Sequence, residues 1–374
     1  MRRALLLCLA AALAVLCGCT RTAAPAMDDM EPTGHMELSY ADQFSVDYYG
    51  ELARITVGDD QFLLAPEGAR IPEGVSVPVL RQPVQRIYLA SSSAMDLFLQ
   101  AGALDCVTMT GTRPSAWAVP EIAEAVEEKG IRYVGKYSAP DYETIVAGDC
   151  GLAVENTMIY HAPDVKEQLE RLGVPVLVER SSYESHPLGR VEWIKLWGLL
   201  SGRTEEAERF FDESVRKLNA VEDQTATGKT VCFFYITSSG YANVRKPGDY
   251  VSRMIELAGG SYLFPENVQV DENALSTTNM QLETFYSAAK DADILIYNST
   301  VDGELETVGD LLEKSPLLAD FKAVQTGDVW CTSQNMFQQV SGAADMIGEL
   351  HAVFAQEDRQ LTYLHRLSKE EDRP

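Results

Sequence analysis

Short apolar runs alternate with amphipathic stretches from residue 84 of the chain onward. The runs, which predict strands, lie at residues 87–90, 107–110, 133–134, 152–154 and 176–178. The stretches between them carry apolar residues at helical spacing and lie at residues 94–102, 120–129, 142–147 and 164–172. Strands that alternate with helices in this way favour a parallel α/β sheet.

A second series of the same kind begins at residue 231. Its strands are predicted at residues 231–237, 294–297 and 329–331, and its helices at 251–258, 282–289, 308–314 and 343–354. Residues 43–66, ahead of the first series, have the pattern of a short β hairpin that turns at residues 58–60. The predicted fold class is therefore α/β, with two lobes built on mostly parallel sheets and a ligand cleft between them.

Residues 191–224 join the two series and are almost entirely helical in pattern. Gly202 and the polar residues after it divide this segment into two helices. One face of the second helix is apolar and carries Ala207, Phe210, Phe211, Val215, Leu218 and Val221. Its length is about five turns, or roughly 30 Å. A single long, stiff helix between the lobes predicts that they move little relative to one another.

The first nineteen residues have the layout of a secretory signal. Arg2 and Arg3 precede an apolar run at residues 4–15, which is too short for a membrane-spanning helix. The run ends in Leu16-Cys17-Gly18-Cys19, which resembles a bacterial lipobox. The resemblance implies that Cys19 is lipidated and anchors the protein on the extracytoplasmic face of the cell membrane. An ordinary signal peptide with an incidental cysteine is the alternative.

The segments behind Cys19 have distinct compositions. Residues 20–40 are predicted to be a flexible tether, because the stretch from Thr20 to about His35 has no period and is rich in Ala, Pro, Asp, Met and Thr. The remaining boundaries place an N-terminal lobe at residues 41–202, a connecting helix at 203–227, a C-terminal lobe at 228–360 and a polar tail at 361–374.

The composition excludes one class of partner and leaves the cysteines open. The chain of 374 residues has a formal net charge of −25, so a nucleic-acid partner, which needs a basic face, is not expected. The cysteines after Cys19 are Cys106, Cys150, Cys232 and Cys331. Their wide spacing and the lack of a nearby His give a zinc site little support. Free core thiols are the preferred interpretation, although an exported protein can form disulfides.

One local motif occurs once in each lobe. Tyr142-Glu143-Thr144-Ile145 is followed by Asp149, an apolar run and Asn156, and Leu282-Glu283-Thr284-Phe285 is followed by Asp293, an apolar run and Asn298. Each Glu falls in the first turn of a predicted helix, where the helix dipole favours a negative charge. This electrostatic argument does not distinguish two interpretations: ordinary exposed acids, or a pair of glutamates that form a functional surface.

Residues 84 to about 356 resemble the substrate-binding proteins of ABC importers for iron-siderophores, haem and cobalamin. The resemblance is carried by PDYETI at 140–145, MIELAGG at 254–260 and FKAVQTGDVW at 321–330, behind the lipobox. It implies a monomer of two lobes on one backbone helix, which delivers a small-molecule ligand to an ABC permease dimer with its ATPase. It also implies that Glu143 and Glu283 dock on permease arginines, which pair well with carboxylates.

Open α/β lobes bind ligands beyond the carboxyl ends of their strands, so the loops after each apolar run supply the candidate ligand residues. These combine hydroxyls, amides, aromatic rings and cations, and are Ser92, Arg113, Trp117, Tyr137, Tyr160, His161, Arg180, Tyr183, Tyr241, Arg245, Lys246 and Asn335. Three cations of the first lobe, Arg113, Lys136 and Arg180, are expected to face Arg245 and Lys246. Such a cleft suits an anionic ligand, for example a ferric chelate with carboxylates or catecholates.

The expected function is capture of a ferric-siderophore-type complex, with no resident cofactor or metal. Haem is the main competitor, because Tyr160 and His161 are axial-ligand types and Met158 is a weaker one. Cobalamin also suits an aromatic cleft. The chain has no nucleophile elbow, Walker loop or dinucleotide fingerprint and is not expected to be an enzyme. A ligand sensor or an enzyme on the same two-lobe fold stays open as an alternative.

Overall fold

The computed structural model describes residues 31–222, 224–265 and 276–369. The predicted signal, Cys19 and the first part of the predicted tether lie outside these ranges. Within them, none of the helices combines the length and the apolar character that a bilayer span requires.

A five-stranded sheet opens the described chain. Its strands are β1 (Gly34–His35), β2 (Phe44–Tyr49), β3 (Leu52–Val57), β4 (Asp60–Pro66) and β5 (Val79–Gln82), side by side in that order. The hairpin predicted at residues 43–66 is therefore wrong in its strand count, because an additional turn at Gly50 divides it. Gly50 and Gly58 have positive φ, 65° and 58°, and each allows a turn of two residues between strands.

Residues 34–40, which were predicted as part of the tether, belong to the folded protein. β1 pairs with β2, and the backbone N–H groups of Ser39, Tyr40 and Ala41 donate to the Glu192 carboxylate over 2.7–3.0 Å. Glu192 is fully buried, so these hydrogen bonds replace the water that its carboxylate loses on folding. The prediction of a flexible tether over residues 20–40 is therefore wrong for residues 34–40.

The sheet of the N-terminal lobe has five strands, all parallel as predicted. They are β6 (Ile87–Leu89), β7 (Val107–Thr110), β8 (Arg132–Tyr133), β11 (Leu152–Asn156) and β12 (Val176–Glu179). A separate small hairpin, β9 (Gly135–Lys136) and β10 (Ala139–Pro140), lies between β8 and β11 in the chain. The helices are α1 (Ser92–Gln100), α2 (Pro120–Glu128), α3 (Tyr142–Ala147) and α4 (Pro163–Arg171). The spatial order is β12-β11-β6-β7-β8, so the chain turns from one side of β6 to the other, the arrangement that opens a crevice at the carboxyl edge.

Two helices join the lobes. α5 (Pro187–Ser201) ends at Gly202, whose φ of 73° lies in the left-handed region that caps helices, and α6 (Thr204–Glu222) leads into the C-terminal lobe. Fourteen of the fifteen residues of α5 are buried, so α5 is an internal helix. Ala207, Phe211 and Leu218 of α6 are buried. The predicted break at Gly202 and the predicted apolar face are both confirmed.

The sheet of the C-terminal lobe is mixed, not mostly parallel. Its strands are β13 (Thr230–Ile236), β14 (Ala242–Arg245), β15 (Ser261–Tyr262), β16 (Thr277–Met280), β17 (Ile294–Tyr297), β18 (Val329–Thr332) and β19 (Leu364–Arg366). Its helices are α7 (Tyr250–Leu257), α8 (Leu282–Ala289), α9 (Val308–Lys314), α10 (Lys322–Thr326) and α11 (Ala343–Ala355). In the order β16-β14-β13-β17-β18-β19, the predicted central strands are parallel, whereas β14, β16 and β19 add antiparallel pairs.

The chain after residue 360 belongs to the C-terminal lobe. β19 pairs with β18, and Leu364 and Leu367 are buried. The prediction of a polar tail over residues 361–374 is therefore wrong for residues 364–367, while residues 370–374 lie outside the described ranges.

One apolar core runs through both lobes. It includes Phe44 of the first sheet, Trp193 and Trp197 of α5, Phe233 of β13 and Ile347 of α11. The two indole rings are fully buried, with centroids 5.7 Å apart, and α5 contacts α1 on one side and α7 and α11 on the other. The lobes therefore meet through packed side chains as well as through α6.

Candidate ligand-binding cleft

Hydrogen bonds join the two lobes beside α1. The backbone N–H and the hydroxyl of Ser341 donate to Asp96 over 2.7 and 3.0 Å. Gln338 accepts from the N–H of Ala118 and donates to the carbonyl of Ala116, each over 2.8 Å. Trp117 lies in this segment and packs against the shared core. The lobes are thus tied on this side.

A cavity of about 360 Å³ lies between the lobes. The N-terminal lobe lines it with the loop after β12, including Arg180, Tyr183 and Glu184, and the C-terminal lobe lines it with the loop after β14, including Lys246 and Asp249. Three of the predicted ligand residues, Arg180, Tyr183 and Lys246, are therefore brought together.

Strand register places these two loops differently in their sheets. Arg180 directly follows Glu179, the last residue of β12 and hence at the carboxyl edge of its sheet. In the other lobe, Val244 of β14 and Tyr297 at the end of β17 are both level with Phe234. β14 runs antiparallel to β13, so Lys246, two residues beyond Val244, lies toward the amino-terminal side of the parallel strands.

Arg180 is held on several sides. Its Nε and Nη2 donate to Gln43 Oε1 over 3.3 and 3.2 Å, and its Nη1 donates to the Tyr160 hydroxyl over 3.3 Å. The guanidinium carbon lies 5.0 Å from the ring centroid of Tyr183, a distance at which a cation is attracted to an aromatic face. The Arg180 side chain therefore has a defined position at the cavity wall.

Arg245 does not line the cavity. It is 8% exposed, its guanidinium carbon lies 5.2–5.8 Å from the rings of Phe233, Tyr250 and Phe337, and its Nη1 lies 3.6 Å from Asp249. The prediction that Arg245 faces Arg113, Lys136 and Arg180 across an open cleft is therefore wrong, because three aromatic rings enclose it.

A second buried arginine, Arg190, was not predicted as part of the site. It projects from the apolar helix α5, and its guanidinium carbon lies 4.1 Å from the Tyr250 ring centroid. Arg190 and Arg245 therefore share the Tyr250 ring, and Arg245 also faces Asp249. A cation within the mostly apolar residues 187–201 was the available signal, since burial of a charge is costly unless it is compensated.

Glu184 links the cavity to the segment before β2. Its carboxylate accepts from the N–H groups of Asp42 and Gln43 over 2.9 and 3.2 Å and from Trp193 Nε1 over 2.8 Å. Burial raises the pKa of Glu184 to about 7, and these hydrogen bonds oppose the rise. Sequence reasoning missed this role, because two of the three donors lie some 140 residues upstream.

The other predicted ligand residues lie outside this cavity. Arg113 and Lys136 are exposed, and the Arg113 guanidinium carbon lies 5.9 Å from the Tyr133 ring centroid. The Tyr241 hydroxyl accepts from Gln281 over 3.3 Å. The remaining residues range from half-buried to exposed, and are Ser92, Tyr137, His161 and Asn335. Their contacts with a ligand stay predictions.

The two motif glutamates have matching positions. Glu143 and Glu283 are both exposed and lie in the first turns of α3 and α8, as predicted. Asp141 caps α3 by accepting from the N–H of Thr144 over 3.0 Å. α3 follows β10 of the small hairpin, and α8 follows β16. Docking on a permease stays a prediction.

Two further sets of side chains bear on the predictions, namely the cysteines and a group of one histidine and two glutamates. Cys106, Cys150, Cys232 and Cys331 are all free thiols. The pairing of β18 with β19 brings His365 to Glu304 and Glu306, whose ligand atoms lie within 4.8 Å of one another. This group is outside the cavity and was not foreseen, because sixty residues separate its members.

The fold and the cavity define a class of protein. Two α/β lobes that share a core and face each other across a polar cavity have the architecture of a solute-binding protein. Residues 99–336 match the family model described as periplasmic binding protein, and the chain belongs to this family. Its members bind solutes and are not enzymes, which confirms the expectation that the chain is not an enzyme.

The chain is also similar to known proteins in sequence or in fold. An uncharacterized lipoprotein of Methanocaldococcus jannaschii, MJ0878, is 25% identical over 337 residues, which is 80% of this chain and 77% of the relative. A periplasmic heme binding protein from Pseudomonas aeruginosa has a TM-score of 0.59 at 18% identity and covers 76% of this chain and 98% of its own. A protein of the ABC-type Fe3+-hydroxamate transport system of Saccharomonospora viridis has a TM-score of 0.56 at 20% identity, covering 73% and 93%.

Proposed function

We propose that this protein is the extracytoplasmic solute-binding lipoprotein of an ABC importer, and that it captures a ferric-siderophore-type complex for delivery to the permease. The observation that carries the proposal is the pair of cations, Arg180 and Lys246, that opposite lobes place on one cavity. The chain has a net charge of −25, so cations gathered at one place favour an anionic ligand.

The cavity suits a compact chelate in size and chemistry. Its volume of about 360 Å³ falls in the range of small-molecule sites, about 300–1,000 Å³. Carboxylate or catecholate oxygens would accept hydrogen bonds from Arg180 and Lys246. The rings of Tyr183 and Tyr160 would cover the less polar parts of such a ligand.

Delivery and anchoring rest on separate features. Glu143 and Glu283 are exposed, one on each lobe, and two contacts on one rigid body reinforce each other. Cys19 would hold the protein at the membrane, and the similar Methanocaldococcus jannaschii protein is named a lipoprotein.

Haem is the second candidate ligand. Tyr160 and His161 are exposed and adjacent at the mouth of the cleft, and the Tyr160 hydroxyl is hydrogen-bonded to Arg180. Tyrosine and histidine are both haem ligands, and the similar Pseudomonas aeruginosa protein is a heme binding protein.

The test is a titration of the mature protein with ferric citrate, a ferric triscatecholate, haemin and cyanocobalamin, followed by tryptophan fluorescence and visible absorption. We expect a ferric probe to bind, and Arg180→Ala and Lys246→Ala each to weaken binding about tenfold or more, the value of a hydrogen bond to a charged group. Arg209→Ala, which removes an exposed cation of α6 outside the cavity, is the matched control and should change affinity less than about twofold.

Two results would contradict the proposal. A Soret shift with haemin that depends on Tyr160, without binding of the ferric probes, would make haem the ligand. Equal affinities of the Arg180→Ala variant and the wild type would show that the ligand does not bind in this cavity.

A further inference from the structure

The first β-sheet reaches the cavity, although it precedes the family region. The match to the family begins at residue 99, whereas β1 to β5 lie within residues 34–82. Gln43, the residue just before β2, nevertheless lines the cavity. Gly58, in the turn between β3 and β4, lies against Arg180. A part of the chain outside the family region thus touches a predicted ligand residue at two places.

Gln43 holds one edge of the guanidinium group. Its Oε1 accepts from both Nε and Nη2 of Arg180. Gln43 is itself fixed, because its backbone N–H donates to Glu184 over 3.2 Å, next to the N–H of Asp42 at 2.9 Å. With the bond from Nη1 to Tyr160, three of the five N–H groups of Arg180 are used, and one on each of Nη1 and Nη2 is left for a ligand.

Gly58 provides the space in which the guanidinium lies. A Cβ atom at this position would come within 2.8 Å of Arg180 Nη1, closer than non-bonded atoms approach. The turn cannot easily retreat, because Lys166 of α4 donates to the two carboxylate oxygens of Asp60 over 2.9 and 3.0 Å. A side chain at residue 58 would therefore have to displace Arg180.

We propose that the first β-sheet is a third wall of the ligand site, in which Gln43 and Gly58 are positioning residues that aim Arg180 at an anionic ligand. This inference rests on the proposed function, since it assigns a role in binding the same ligand. A guanidinium group binds a carboxylate well only when its planar fork is correctly oriented. The first sheet sets that orientation, and thereby contributes to which chelates are accepted.

The chain offers a matched pair of glycines for the test. Gly50 and Gly58 both have positive φ and both lie in two-residue turns of the same sheet, but a Cβ atom at Gly50 has nothing within 4 Å. Gly50→Ala and Gly58→Ala therefore carry the same backbone strain, and only Gly58→Ala displaces Arg180. We expect Gly58→Ala to weaken binding of ferric citrate or the ferric triscatecholate about tenfold, with Gly50→Ala within twofold of wild type and both variants melting at similar temperatures.

Gln43→Ala is the second variant, which leaves the backbone of the turn unchanged. We expect a loss of about threefold to tenfold and a changed ratio of affinities for the two ferric probes, because Arg180 can then turn. Crystal structures of Gly58→Ala and Gly50→Ala supply a readout that needs no ligand. The Arg180 guanidinium should leave Gln43 in the first structure and stay in place in the second.

The outcomes separate this inference from the proposed function. If Arg180→Ala weakens binding but Gly58→Ala behaves like Gly50→Ala, the positioning role is overturned and the proposed function stands. If Arg180→Ala has no effect, or neither ferric probe binds, the proposed function is overturned. In that case the crystal structures still decide whether the sheet positions Arg180, and an unmoved guanidinium in Gly58→Ala refutes it.

Discussion

The two copies of the repeated motif differ in what their aspartates do. In the N-terminal lobe Asp149 is exposed and pairs with Arg86 at the surface over 2.8 Å. In the C-terminal lobe Asp293 accepts from the N–H and the hydroxyl of Thr230 over 2.9 and 2.8 Å and from Lys322 over 2.7 Å. The same residue is a surface ion pair in one lobe and ties three segments together in the other.

The strands inside the two copies also differ. Glu155 precedes Asn156 in β11, and Tyr297 precedes Asn298 in β17. Glu155 is fully buried, and neither carboxylate oxygen has a hydrogen-bond partner among the described residues. Burial raises its pKa to about 8. The two lobes therefore share the exposed first-turn glutamate but not the buried residues of the motif. This pattern is expected if the glutamates at the surface, and not the interior, carry the function of the motif.

The largest expected effect concerns this shared surface. The double variant Glu143→Arg/Glu283→Arg should reduce uptake of the bound ligand about a hundredfold, because like charges at a docking surface cost several kcal/mol. Affinity for the ligand should not change. The measurement is uptake of iron-55 by cells that contain the importer, beside a titration of the purified variant.

The control for this prediction is Glu121→Arg/Glu205→Arg, which makes the same charge change at the exposed first turns of α2 and α6. It should transport normally. Normal uptake by the Glu143→Arg/Glu283→Arg variant would show that the motif surface does not dock.

A smaller effect is expected at the buried carboxyl of the N-terminal copy. Because the pKa of Glu155 is raised from 4.5 to about 8 on folding, the folded state binds the proton more tightly and the protein loses stability as the pH rises through this window. Glu155→Met removes the charge and keeps an unbranched side chain. Its stability relative to wild type should increase by about 4 kcal/mol between pH 4.5 and pH 8.5, as measured by urea unfolding.

Glu179 provides the comparison for Glu155. It is also buried and lies on the next strand, but its carboxylate accepts from the Ser91 hydroxyl over 2.9 Å and the N–H of Ser181 over 2.7 Å. Glu179→Met should destabilise at both pH values, because it leaves donors unpaired. An unchanged difference between wild type and Glu155→Met across the pH range would mean that Glu155 does not titrate there.

The smallest effect is expected at the aspartate of the C-terminal copy. The hydrogen bond from Lys322 and those from Thr230 lower the pKa of Asp293 to about 2, so its contribution is present above the unfolded pKa and is lost as the pH falls through 2. Asp293→Asn should cost about 1 kcal/mol at pH 7, since solvent screens part of the interaction. Asp149→Asn should cost less than about 0.5 kcal/mol. Equal losses would contradict the contrast between the two copies.

The sequence was a good guide to the central strands and to the helices that follow them. The bounds of β17, α3, α8 and α9 agree with the prediction, because apolar runs and helical periodicity are local signals. The strands it missed are short and polar. β14 has the sequence ANVR and β16 has TTNM. Only pairing makes them strands, that of β14 with β13 and of β16 with β14.

The candidate site was only partly accessible to the same reasoning. Arg180, Tyr183 and Lys246 follow strands and line the cavity, and their contact with a ligand stays a prediction. Arg245 follows the same rule but is enclosed by rings from three separate elements. Gln43 and Gly58 contact Arg180 across more than 120 residues of chain. Burial and contacts of this range depend on tertiary packing, which a periodic pattern does not encode.

Helix α5 couples the thermal unfolding of the two lobes. Elements of both lobes, α1, α7 and α11, contact it, and its Trp193 and Trp197 belong to the core that the lobes share. Calorimetry should therefore show one cooperative transition, with equal calorimetric and van't Hoff enthalpies, instead of one for each lobe. A ligand bound at the cleft would then raise the melting temperature of the whole protein, so that thermal shift alone can rank candidate chelates.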